Sequence, residues 1–153
     1  MPPDLYFAYG SNMDPAQMLG RCPGSRLVGI GCLRDHRLVF NRKGSYRPGA
    51  VASVVPAAAS TVYGVLWHMA PGEIAVMDRI EDPSAYRRTT ASVQGPDDHA
   101  VAALMYVAIP EENPPPPDPD YARILLRAGR IAGLPEAYLR EVEVAAGLDD
   151  ADS

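Results

Sequence analysis

Cysteine, histidine and lysine are scarce in this chain of 153 residues, with two, three and one of each. Cys22 and Cys32 can form neither a disulfide scaffold nor a four-ligand zinc site. His36, His68 and His99 make no metal-spaced pair, so no metal is expected. No apolar run approaches the ~18 residues that a membrane-crossing helix needs. Met1-Pro2-Pro3-Asp4 carries no basic n-region, so no secretory leader is expected and the cytoplasm is the expected compartment. The net charge of -5 and the pI near 5.1 exclude nucleic acid and an anionic membrane surface as expected partners.

What is present describes one ordinary domain. Hydrophobic residues make up 47% and charged residues 22%, the balance of a chain that buries a core. The charge is uneven along it. Residues 1–50 carry seven Lys or Arg against three Asp or Glu, while residues 101–153 carry four against ten. The basic first third could steer a small anion, or it could be a solvated strand edge. The skew to arginine over lysine has the look of GC-rich coding.

Hydrophobic periodicity places strands over 5–9, 26–33, 37–42, 51–55, 61–68, 86–93 and 100–107. Helices are expected over 15–21, 71–80, 120–132 and 135–146. Asp14-Pro15-Ala16-Gln17 reads as N-cap, Pro at the first helical position, and Gln at N3. Residues 110–120 hold six prolines and read as a stiff surface connection, since the remainder is too short to be a second domain. The order is that of a mixed α+β domain over 1–148 with an acidic tail at 149–153.

Two places could carry chemistry. At Tyr9-Gly10-Ser11-Asn12 a buried strand runs into a glycine turn and then a helix start. Such a junction presents free amides to a carboxylate or phosphate, although many such turns only cap a helix. Glu81 ends a helical stripe with Ile74 and Met77. Burial and the negative end of the helix dipole would both raise its pKa, as suits a general acid/base. The competing reading is an ion pair to Arg79, Arg87 or Arg88. Ser11 lacks the G-x-S-x-G elbow of a nucleophilic serine. Tyr86 and Tyr121 start a strand and a helix, where a tyrosine packs or holds a ligand through its hydroxyl.

These segments resemble the γ-glutamylcyclotransferase (AIG2-like) family. Leu5-Tyr6-Phe7-Ala8-Tyr9-Gly10-Ser11-Asn12-Met13 is similar to its opening motif, and Val62-Tyr63-Gly64-Val65-Leu66-Trp67 to its central strand. Met77-Asp78-Arg79-Ile80-Glu81 resembles the segment ending in its catalytic glutamate, with Tyr86 at a matching distance. Pro119-Asp120-Tyr121, and Gly133-Leu134-Pro135 with Tyr138, resemble its last helices. Arg87-Arg88 departs from the more apolar residues expected there. The resemblance implies a small mixed β-barrel flanked by helices. It implies Glu81 as acid/base and Tyr9, Gly10, Ser11 and Asn12 as binders of a γ-glutamyl substrate, with Tyr86 and Tyr121 lining the pocket. It implies no cofactor. The leaving amine and the oligomeric state stay open. The implied reaction is cyclisation of a γ-glutamyl amino acid or amine to 5-oxoproline. Alternatives are removal of a γ-glutamyl protecting group, cleavage of γ-glutamyl-ε-lysine, or a binding domain without catalysis.

Overall fold

The computed structural model describes residues 4–44 and 47–148; the acidic tail at 149–153 lies outside the described residues. Five strands close into a barrel in the order β1-β3-β2-β4-β5. They are β1 (Leu5–Ala8), β2 (Arg26–Lys43), β3 (Ala50–His68), β4 (Tyr86–Gln94) and β5 (Ala100–Ala108). Four helices accompany them: α1 (Pro15–Arg21), α2 (Glu73–Ile80), α3 (Pro119–Ala132) and α4 (Glu136–Ala145). All neighbours run antiparallel except β1 and β5, which meet in parallel at Tyr6 and Leu104 and close the barrel. The expected α+β class and helix-flanked barrel are observed.

One correction concerns strand number. Residues 26–43 and 50–68 form two long strands, where the pattern suggested four short ones. Asp35 and Ala59 take left-handed backbone (φ 60° and 64°) at the kink between the two halves. The Asp35 carboxylate accepts the Ala59 amide at 3.1 Å, so the ladder resumes beyond a bulge. A second correction concerns helix α2, which starts at Glu73, later than Pro71, because Gly72 is left-handed (φ 85°).

Single-residue signals account for several boundaries. Asp14 caps α1 by accepting the Ala16 amide at 3.3 Å, with Pro15 at the first helical position. Gly133 ends α3 in left-handed backbone (φ 87°), and the Leu134 amide returns to the Gly129 carbonyl. Phe7, Leu66, Trp67 and Met77 are fully buried in the same core as Leu125 and Leu139 of α3 and α4. Among the described residues no helix is long and apolar enough to cross a membrane.

Candidate active site

Strand β1 delivers its end to a cavity of about 310 Å³. Tyr9 and Gly10 follow it, and Ser11–Met13 form a single 3₁₀ turn. The Met13 amide bonds the Gly10 carbonyl at 3.1 Å. The buried Trp67 indole of β3 donates to the Asn12 carbonyl at 3.0 Å and ties the turn to the barrel. The turn does not lead straight into α1 as expected: Asp14 is extended between them and starts the helix separately. Gly10 is not forced by crowding. A Cβ there would lie 3.6 Å from the Tyr121 hydroxyl and 3.8 Å from Ala52 Cβ, ordinary contacts that would take up cavity space.

Glu81 reaches the same cavity from the end of α2. Met77 anchors α2 in the core, and the Glu81 amide closes the helix on the Met77 carbonyl at 2.9 Å. Asp82 then turns the chain with φ 46°, and its carbonyl accepts the Tyr86 amide at 3.0 Å. That turn brings Tyr86 to the same cavity as Glu81. Burial lifts the Glu81 carboxyl from 4.5 to about 7, with Arg21 opposing the rise. Of the arginines considered as partners for Glu81, Arg88 pairs instead with Asp78 at 2.6 Å. The Glu81 carboxylate instead faces the Asn12 side-chain amide at 3.5 Å.

Tyrosines make most of the remaining wall. The Tyr9 hydroxyl donates to the Tyr106 carbonyl, and the Tyr121 hydroxyl accepts the Ala52 amide at 3.0 Å. Tyr106 donates to Asp78 at 2.7 Å. Burial pushes Tyr121 up to about 12 and Tyr6, Tyr86 and Tyr106 further still, and it holds Tyr9 well above the ordinary phenol range, so each is a neutral phenol near pH 7. All seven residues singled out from the sequence, Tyr9, Gly10, Ser11, Asn12, Glu81, Tyr86 and Tyr121, line this cavity. Sequence reasoning missed Tyr6, Tyr106, Arg21 and Arg47, which line it too. The two tyrosines read as strand packing. The excess of positive charge in the first third was the signal for the two arginines.

A closed barrel whose cavity sets the half-buried Glu81 carboxyl among neutral phenols defines an enzyme acting on a small molecule. Residues 6–123 match the family described as gamma-glutamyl cyclotransferase, AIG2-like, and the chain belongs to it. It is 26% identical to the gamma-glutamylcyclotransferase of Mus musculus over 145 residues, 91% of this chain and 77% of that protein. The Homo sapiens protein of that name aligns with the same identity and coverage. A solved structure of a gamma-glutamyl cyclotransferase shares the fold with a TM-score of 0.85 at 23% identity, covering 91% of this chain and 85% of that one.

Proposed function

We propose that the protein converts a γ-glutamyl amino acid or amine into 5-oxoproline and the free amine, with Glu81 as the acid/base. The observation that carries this reading is the half-buried Glu81 carboxyl, raised to about 7 by burial in the cavity that the Gly10–Asn12 turn also lines, 3.5 Å from the Asn12 amide. The substrate supplies its own nucleophile. Its α-amine attacks its γ-carbonyl, closes a five-membered lactam and breaks the bond to the leaving nitrogen. The α-ammonium gives up two protons in all, and the leaving nitrogen gains two and departs as an ammonium. A carboxyl poised near neutrality takes a proton from the first nitrogen and returns one to the second.

The turn amides of Gly10, Ser11 and Asn12 suit the glutamyl carboxylate. Arg47, which lies 5.1 Å over the Tyr121 ring, and Arg21 add positive charge for the carboxylates of a γ-glutamyl amino acid. Tyr86 and Tyr121 shape the wall around the folded substrate. Holding it in the attacking shape is worth ~7–11 kcal/mol of barrier, so little further apparatus is required. The test is 5-oxoproline release from γ-glutamyl-alanine, γ-glutamyl-ε-lysine and glutathione. Release from at least one substrate is expected, and Glu81→Gln is expected to abolish it while circular dichroism stays native. Full activity in Glu81→Gln would remove Glu81 from the mechanism. Silence of the folded protein on all three would favour a dedicated larger substrate or a binding role.

A further inference from the structure

The Asn12 side chain, which faces Glu81, is saturated on both ends. Its Oδ1 accepts from Gln17 Nε2 at 2.9 Å and from Arg21 Nη1 at 3.1 Å. Its Nδ2 donates to the Tyr6 hydroxyl at 3.0 Å and faces Glu81 Oε1 at 3.5 Å. Both lone pairs and both protons of the carboxamide are therefore used. Gln17 uses both of its amide protons as well, and its oxygen takes one donor. Its Nε2 also donates to Ser11 Oγ at 2.6 Å, and its Oε1 accepts from Arg47 Nη2 at 3.3 Å.

A carboxamide has two orientations, and its neighbours choose between them. Here the chain of amides ends on donor-only groups. Arg47 has no acceptor to offer, so Gln17 must turn its oxygen outward and its nitrogen inward. Arg21 likewise cannot accept, so Asn12 must present its oxygen to α1. The Asn12 NH2 then has one remaining direction, toward Tyr6 and Glu81. A flipped Asn12 would set its oxygen against the Glu81 carboxylate and its NH2 against a guanidinium. Gln17 and Arg21 are one turn apart on α1, the spacing that lets two side chains reach a single atom. Met18 between them is fully buried and holds the helix in place.

We infer that Arg21 and Gln17 are positioning residues that lock the Asn12 amide with its N–H toward Glu81, so that the ionised form of the acid/base is met by a fixed donor. The catalytic consequence rests on the reading of Glu81 given above; the positioning itself does not. Few other charges reach Glu81. Arg21 faces it from α1, and Arg47, from the β2–β3 connection, and Asp82 beside it also border the cavity. The groups facing it from the strands and α3 are phenols: Tyr6 and Tyr9 of the β1 segment, Tyr86, Tyr106 and Tyr121. Burial keeps all of them neutral through the range in which Glu81 titrates. A donor to the ionised carboxylate lowers its pKa, so loss of that donor raises it.

The experiment titrates Glu81 directly, by carbon-13 NMR of the labelled side-chain carboxyl, beside the pH profile of kcat/KM. The proteins are wild type, Arg21→Met, Gln17→Leu and the double variant. Arg21→Met also deletes a charge, whereas Gln17→Leu changes none. The decisive comparison is therefore Arg21→Met against the double variant, in which Asn12 has lost both of its donors. Glu81 is expected to titrate roughly one unit higher in the double variant than in wild type, with part of the rise appearing on the Gln17→Leu step. The acid limb of kcat/KM should move with it, leaving activity about tenfold lower at pH 6 and little changed at pH 9. Repeating the Gln17→Leu step in Asn12→Ala should give no shift, because the path through Asn12 is gone. If Gln17→Leu leaves the Glu81 titration unchanged in the Arg21→Met protein, the proposal is overturned and Arg21 acts by its charge alone. That comparison stands even if Asn12→Ala fails to fold. A Glu81 shift as expected in a protein that releases no 5-oxoproline would sink the proposed function and leave the positioning intact.

Discussion

At the residue scale the property that suits Glu81 to the proposed acid/base role also costs stability. Burial lifts its carboxyl from 4.5 to about 7, so the folded chain holds a proton that the unfolded chain has released between those values. Stability from this group therefore falls as pH rises through that window. Below about 4.5 both states are protonated and no penalty exists; above about 7 both are ionised and the whole penalty remains. Glu81→Gln removes the buried charge. It should stabilise the protein at pH 8.5 by on the order of 2 kcal/mol, a figure reduced for the partial exposure of the side chain. The gain should vanish near pH 4.5. Urea unfolding of both proteins at the two pH values measures it, and a gain equal at both would show that burial of the charge is not its source. Buried Glu73 shows the contrasting arrangement. It accepts the Gly24 amide at 2.7 Å and the Ala70 amide at 2.9 Å, and so anchors loops while Glu81 faces a cavity.

At the scale of elements, the β1-turn-α1 unit carries one complete side of the site. A strand of four residues, a 3₁₀ turn and a helix of seven place Tyr6, Gly10, Ser11, Asn12, Gln17 and Arg21 within a short stretch of chain. Its turn has room for a side chain at Gly10, since a Cβ there meets no atom closer than 3.6 Å. Gly10→Ala is thus expected to fold with its stability changed by less than about 1 kcal/mol. The methyl would occupy cavity space that the proposed substrate fills, and KM should rise at least about tenfold with kcat less affected. Unchanged KM in the alanine variant would place the glutamyl group elsewhere. Helix α2 shows how element ends set the site. Its C-cap at Glu81 and the left-handed backbone of Asp82 together bring Glu81 and Tyr86 to one cavity.

At the scale of the whole molecule, barrel closure decides whether the two walls of the cavity face each other. The β1–β3 pairing sets Ala8 opposite Val65, and beside them Gly64 lies so close that a Cβ would meet the Ala8 carbonyl at 2.3 Å. Phe7 ring atoms would lie within 3.0 Å as well. Gly64→Ala is expected to cost about 3 kcal/mol through backbone displacement. Thermal unfolding should then drop by about 6–12 °C for a domain of this size. An unchanged melting temperature would mean that the barrel has slack at its closing strand. Much of this architecture was legible in the chain itself. Local signals such as Asp14-Pro15 at a helix start, Gly133 at a helix end and alternating apolar runs are written in neighbouring residues, and the elements they announce are where they were expected. The joining of 26–43 and 50–68 into two long strands was not legible, because a carboxylate of one strand, Asp35, bridges the kink to an amide of the other. The candidate site divides the same way. Residue type and spacing marked the Gly10–Asn12 turn and Glu81 as candidates beside a capping turn and an ion pair, and the family resemblance supplied their implied roles, since each signal lies within its own segment. That Arg21, Arg47, Tyr6 and Tyr106 join them, and that Asp78 rather than Glu81 takes Arg88, was decided by tertiary structure. Those assignments depend on distances between side chains from different elements, which exist only once the barrel has closed.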